Sequence, residues 1–223
     1  MKTILFDLDG TLINSKPGIT KCAQYALAAF GIEEPDLDKL EFFIGPPLVE
    51  SFQKHYGFAP DQARLAVDKY RERYHTVGIF ECELYPGVED TLRTLKNAGY
   101  RIAMASSKPE VSCRQILEHF GLTAYFDEIA GATLDGRLDS KISVLREAMR
   151  RMEITDVSEA CLVGDTRFDV LGAKEAGMDC LGVTYGFGTK EELLACGAVA
   201  VVNGMGEVQK YFVKGITLGA VKG

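Results

Sequence analysis

Positive charge is scarce in this 223-residue sequence: 25 Lys and Arg stand against 32 Asp and Glu, a formal net charge of -7. Nucleic acids and anionic membrane surfaces are held by excess basic charge, so neither is an expected partner, although a local basic pocket could still hold one phosphate. Tight cysteine spacing is also absent. Cys22, Cys82, Cys113, Cys161, Cys180 and Cys196 are scattered, with no CxxC pair and several in apolar runs, which argues against zinc ligands or a disulfide frame and for buried thiols in a reducing compartment. No apolar run approaches the length of a membrane span, and the chain enters an apolar strand at once, without the hydrophobic region of a signal peptide. Internal repeats, low-complexity tracts and heptads are missing too. The expectation is a cytoplasmic protein, monomeric or weakly homo-oligomeric.

What is present begins with an ordinary globular composition, 47% apolar and 26% charged, in a chain long enough to bury a substantial core. The run from Thr3 to Phe6 is apolar on both sides of the backbone and predicts a central parallel strand over residues 3–7. After Leu12 the pattern becomes helical: Ile19, Cys22, Ala23, Ala26, Leu27 and Phe30 recur at helical spacing until Gly31, and further helices are expected after Pro47 and after Pro60. From Pro86 and Gly87 the chain alternates. Strands are expected at 101–105, 128–130, 160–165, 179–184 and 198–202, with helices after Gly87 and Pro109, from about Ser140 to Met152, before Gly177, and from about Met205 to Phe212. The predicted fold class is therefore α/β: a doubly wound, Rossmann-like parallel sheet core with an all-helical cap inserted after the first strand. Residues 1–13 and 83–214 form the expected core, 14–82 the cap and 215–223 a tail. Hinges near 13–17 and 82–86 would make the insert a lid.

Three predicted strand ends carry polar groups that a structural sheet does not need: Asp7 and Asp9, then Ser106, Ser107 and Lys108, then Asp165, Thr166 and Asp169, with Lys141 opening a nearby helix. In open α/β sheets such groups gather outside the carboxyl edge of the strands. Asp7, Asp9 and Asp165 offer hard oxygen ligands for Mg²⁺, and Asp169 could orient Lys141 or a metal-bound water. Ser106, Lys141 and the backbone N–H groups near Leu8 and Ser107 could hold a phosphate, with Lys141 also keeping Asp7 beside a dianion. Each group alone also reads structurally: Asp7 and Asp9 as a turn, Ser106 as a cap, Lys141 as a surface lysine, Asp165 to Asp169 as a helix start. Their joint placement at three strand ends points to a site.

These motifs resemble those of the haloacid dehalogenase superfamily, especially its phosphoglycolate-phosphatase-like branch with a helical cap. The similarity covers nearly the whole chain: Asp7-Leu8-Asp9-Gly10-Thr11 matches DxDGT, Ser106 the second-motif serine, Lys141 the motif lysine, and Gly164-Asp165 through Asp169 the GDxxxD motif. The resemblance implies that Asp7 attacks phosphorus, that Asp9 protonates the leaving oxygen and then activates water, and that Ser106 and Lys141 complete the catalytic set with Mg²⁺. Thr11, Ser107 and Lys108 are expected on the phosphate side, and Lys16 and Gly45, with Phe43, Ile44 and Pro46, on the leaving-group side. Asp9 followed by Gly-Thr disfavours dehalogenation, and Ile19 where family mutases carry a cap histidine disfavours mutase chemistry. The expected substrate is a small phosphorylated metabolite: phosphoglycolate, a nucleoside monophosphate or a sugar phosphate. Haloacid dehalogenation, phosphotyrosine or pyrophosphate hydrolysis, and non-catalytic phosphate binding are the alternatives.

Overall fold

The computed structural model describes residues 2–214; the tail expected at 215–223 lies outside the described residues. The chain divides into two compact units, one made of the residues up to Ile13 and those from Leu84 onward, the other of Asn14–Glu83. It passes between them through two short strands, β2 (Ile13–Asn14) and β3 (Glu83–Leu84), which pair with each other.

The first unit holds a six-stranded sheet built from β1 (Thr3–Phe6), β4 (Arg101–Pro109), β5 (Glu128–Ala132), β6 (Ala160–Gly164), β7 (Asp179–Val183) and β8 (Ala200–Val202). The order is β5-β4-β1-β6-β7-β8, and every pairing is parallel. All four residues of β1 are buried, as a strand covered on both faces requires. Phe6 stands opposite Met104 on one side and Val163 on the other, so β1 and β6 finish nearly level while β4 runs on past them to Pro109. That register brings the predicted polar groups to one edge.

Helices α4 (Val88–Asn97), α5 (Glu110–His119), α6 (Lys141–Arg151), α7 (Arg167–Glu175), α8 (Lys190–Cys196) and α9 (Met205–Lys214) belong to this unit. Val144, Leu145 and Ala148 of α6 share a buried cluster with Leu5, Ala103, Ala105, Ala130 and Leu162, the small strand residues giving the helix room to approach the sheet. At the start of α7, the Asp169 carboxylate accepts from the Thr166 N–H at 2.9 Å and the Thr166 hydroxyl at 2.8 Å, a capping arrangement that ties this acid to the strand end.

Two elements depart from the expectation. Strand β4 continues past residue 105 to Pro109, with its pairing to β5 shifted between Ser106 and Pro109. Helix α8 is an addition; it buries only Leu193, too little for an apolar stripe. Its Thr189 hydroxyl accepts from the Glu192 N–H, so the Thr-Lys-Glu-Glu capping pattern was the signal that could have found it.

The second unit contains α1 (Lys16–Ala28), a 3₁₀ segment at Leu37–Phe43, α2 (Leu48–Tyr56) and α3 (Pro60–Tyr74). Its core is aromatic: Phe43 lies 4.7 Å from Phe52, and Phe30 lies 5.1 Å from Phe58, between ring centroids. Arg73 pairs with Glu81 at 2.6 Å and closes the segment after α3.

Candidate active site

Asp7 follows β1 directly, its backbone N–H bonded to the Val163 carbonyl at 3.0 Å. Its carboxylate is buried beside Lys141, whose Nζ lies 2.8 Å from Asp7 Oδ1, 2.7 Å from Asp169 Oδ1 and 3.1 Å from the Ala105 carbonyl oxygen. Lys141 thus joins the end of β1, strand β4 and the first turn of α7 through one ammonium group. Burial alone would lower its pKa, but the charges of Asp169 and Asp7 more than reverse this and hold it raised. Asp7 is pushed up to about 6, first by burial and then by Asp169, with Lys141 opposing.

Asp165 follows β6 and is fully buried. Thr11 donates its hydroxyl to Asp165 Oδ1 at 3.1 Å, and the Phe187 N–H donates to Oδ2 at 2.8 Å. Burial raises the Asp165 pKa well above the ordinary carboxylate range, and Asp169 and Asp7 add to it. The segment after β7, Thr184-Tyr185-Gly186-Phe187-Gly188, escaped the sequence reading although it braces this aspartate from above. The Tyr185 hydroxyl donates to the Thr11 carbonyl at 2.9 Å, and the Tyr185 ring sits 4.6 Å from that of Tyr85. Its paired glycines after a strand were the available signal. A Cβ on Gly186 would fall 2.3 Å from the Gly10 carbonyl oxygen and 2.4 Å from Asp165 Oδ2. Gly186→Ala is therefore expected to cost about 1–3 kcal/mol of stability, measured by urea unfolding, and to weaken divalent-ion binding through Asp165.

Asp9 is oriented differently from Asp7. Both of its carboxylate oxygens lie on Lys108 Nζ, at 2.9 and 2.8 Å. The structure groups Asp169, rather than the Asp9 side chain, with Asp7 and Asp165: ligand oxygens of these three buried residues lie within 4.8 Å of one another. The expected ligand set is Asp7, Asp9 and Asp165; of these, the Asp9 side chain faces the Lys108 ammonium. Lys108, expected on the phosphate side, is engaged with that carboxylate instead. Ser106 is buried, its hydroxyl accepting from the Lys108 N–H at 3.3 Å, while Ser107 is exposed. In the helical unit, Lys16 pairs with Asp38 at 2.7 Å and with Glu41, and Gly45 adopts a φ of +100°.

Among the described residues, the trio fits a hard divalent cation. Three buried carboxylates lie together, Lys141 pairs with two of them, Asp7 and Asp169, and both Asp7 and Asp165 are held above the usual carboxylate range mainly by burial. Such an excess of buried negative charge is relieved by a metal ion. Asp165 meets neutral donors, the Thr11 hydroxyl and the Phe187 N–H, whereas Asp169 has Oδ1 on the Lys141 ammonium and Oδ2 on Thr166, an arrangement in which Asp169 orients Lys141.

Fold and site together define an α/β protein with a group of buried carboxylates at the carboxyl edge of its central strands. Residues 4–183 match the family of haloacid dehalogenase-like hydrolases, and the chain belongs to that family, in its phosphoglycolate-phosphatase-like branch. It is 44% identical over 193 residues to a 5′-nucleotidase of Pseudomonas aeruginosa, covering 86% of each chain. A phosphoglycolate phosphatase of the same organism is 33% identical over 195 residues, 83% of this chain and 70% of that one. The crystal structure of a predicted phosphatase from Clostridium acetobutylicum superposes with a TM-score of 0.89 at 44% identity, covering 96% of this chain and 98% of that one. The chain is a phosphatase of this family, and no helix among its described residues is long and apolar enough to cross a membrane.

Proposed function

We propose that this protein is a Mg²⁺-dependent phosphomonoesterase acting on small phosphorylated metabolites, with nucleoside 5′-monophosphates as the leading substrates. The observation that carries the reading is Asp7 at the end of β1, held by Lys141 and grouped with Asp165 and Asp169. The 44% identity to a 5′-nucleotidase supports the choice of substrate.

In this mechanism Asp7 forms a bond to phosphorus while the P–O bond to the leaving group breaks, and Asp9 gives its proton to the departing oxygen. Asp9 then takes a proton from water as the water oxygen bonds to phosphorus and the Asp7–phosphorus bond breaks. Lys141 steadies Asp7 against the dianion, and the buried Ser106 hydroxyl is the neutral donor on the phosphate side. Asp7 and Asp165 would hold Mg²⁺, which would supply charge neutralisation at the transferring phosphoryl group. The helical unit, with Lys16 and Gly45, is proposed to select the leaving group.

The test is a Mg²⁺-supplemented screen of nucleoside monophosphates, phosphoglycolate, sugar phosphates, pyrophosphate, phosphotyrosine and haloacids. Turnover of nucleoside 5′-monophosphates above the other esters is expected; halide release, or no hydrolysis of any ester, would sink the reading. A pH titration sharpens the metal requirement. Asp7 must lose its proton to ligate, and its pKa is raised to about 6, so the proton competes with the ion below that pH. The Mg²⁺ concentration for half-maximal activity is expected to rise by at least about tenfold per pH unit below pH 6.

A further inference from the structure

Lys108 has no part in the two-step mechanism above, yet its surroundings are built to hold it. Its side chain is 7% exposed, and its ammonium group meets both oxygens of a carboxylate that belongs to the loop after the neighbouring strand. The backbone that delivers it is constrained on three sides. The pairing of β4 with β5 slips between Ser106 and Pro109, and such an irregularity re-aims a side chain at a strand end. The Lys108 N–H bonds to the Ser106 hydroxyl at 3.3 Å, and its carbonyl accepts from the Cys113 thiol at 3.6 Å. A Cβ on Gly131 would lie 2.7 Å from that same carbonyl oxygen, so only glycine allows β5 to approach this closely. Pro109 further confines Lys108 to extended backbone.

We propose that Lys108 is a positioning residue for Asp9: it fixes the carboxyl in the orientation from which the proton reaches the leaving oxygen. The proposal rests on the acid/base reading of Asp9. An aspartate side chain has two free torsions, and one ammonium bonded to both oxygens removes most of that freedom. When Asp9 carries a proton on one oxygen, the ammonium still holds the other, so the orientation survives the change. In the cleavage step the P–O ester bond breaks, the Asp9 proton passes to the departing oxygen, and Asp9 is left as the carboxylate facing Lys108. Lys108 itself neither gives nor takes a proton.

A structural role and a positioning role differ in how the rate responds to the leaving group. An ester with a good leaving group needs no proton; a poor one does. The experiment measures kcat/KM, which reads the reaction through ester cleavage, for substituted phenyl phosphates from 4-nitrophenyl to 4-methoxyphenyl. The enzymes are the wild type, Lys108→Met, Lys108→Arg, Asp9→Asn and the Asp9→Asn/Lys108→Met double variant, each melted to establish folding. The wild type is expected to show a shallow dependence on leaving-group acidity. Lys108→Met is expected to stay within about threefold for 4-nitrophenyl phosphate and to fall on the order of 10²-fold for the poorest leaving group. Lys108→Arg should recover part of that loss, and in the Asp9→Asn background the Lys108 change should add nothing to the slope. Parallel losses across the series, or a rise in KM with an unchanged slope, would overturn the proposal. If Lys108→Met does not fold, an Arg variant with the wild-type slope and a uniformly lower rate overturns it equally. A wild-type slope in Asp9→Asn would instead remove the acid/base reading of Asp9, and the proposal with it.

Discussion

Replacing Asp7 with asparagine is expected to lower phosphatase turnover by about 10⁴-fold or more, since an amide is a poor nucleophile and the displaced step has no substitute. The same variant should be no less stable than the wild type without metal. Burial raises the Asp7 pKa to about 6 from an ordinary 3.8, so the folded state binds a proton more tightly than the unfolded chain does. The sign follows from linkage: ionised Asp7 costs nothing below its unfolded pKa, costs progressively more as pH rises to about 6, and carries its full penalty above that. The penalty is on the order of 1–3 kcal/mol. Metal-free Asp7→Asn should therefore melt at or above the wild-type temperature at pH 7–8, and the difference should vanish toward pH 4. Asparagine also leaves Lys141 paired with Asp169. Retained turnover in a well-folded Asp7→Asn protein would refute the nucleophile assignment, and a large drop in its melting temperature would refute the electrostatic account.

Lys141→Met is expected to have the largest effect on stability. The lysine side chain is 7% exposed, and its removal strands Asp7 and Asp169, which are 11% and 0% exposed, without their shared cation. Breaking a buried pair from one side costs about 3–5 kcal/mol, which lowers the melting temperature by roughly 10 °C for a protein of this size. Activity should fall with it, because Asp7 loses the group that holds it beside a dianion. Urea unfolding of Lys141→Met with and without Mg²⁺ tests the cause: the ion should restore part of the loss by bringing positive charge to the trio. Adding Asp169→Asn to Lys141→Met should also recover stability, but not activity, by removing one stranded charge. If the double variant is less stable than Lys141→Met, the loss is one of packing rather than charge.

Much of this site was legible from local pattern. Thr3 to Phe6 could only be a strand buried on both faces, and a strand of that kind delivers whatever follows it to a sheet edge. Asp7, Lys141 and Asp169 were read together because their neighbours predicted strand ends or helix starts, and the register of β1 between β4 and β6 sets those segments side by side. The pairing of Lys108 with Asp9 was not legible, because spacing places a side chain near an edge without saying which charge it meets; the pairing of β4 with β5 shifts beside it. The segment from Thr184 to Gly188 carries no charged residue, and its paired glycines mark a tight turn without saying that the Phe187 N–H would complete Asp165.

The sequence by itself determined most of the order of strands and helices, the helical insertion after β1 and the candidate site residues, because periodicity, caps and motif spacing are local properties of the chain. Tertiary structure alone decided which carboxylates share a site. Ligand oxygens of Asp7, Asp165 and Asp169 are brought within 4.8 Å of one another only because distant strands pair side by side, and Asp9, two residues from Asp7, meets a lysine 99 positions away. Electrostatic partners are chosen by distance through space, and distance through space exists only once the chain has folded.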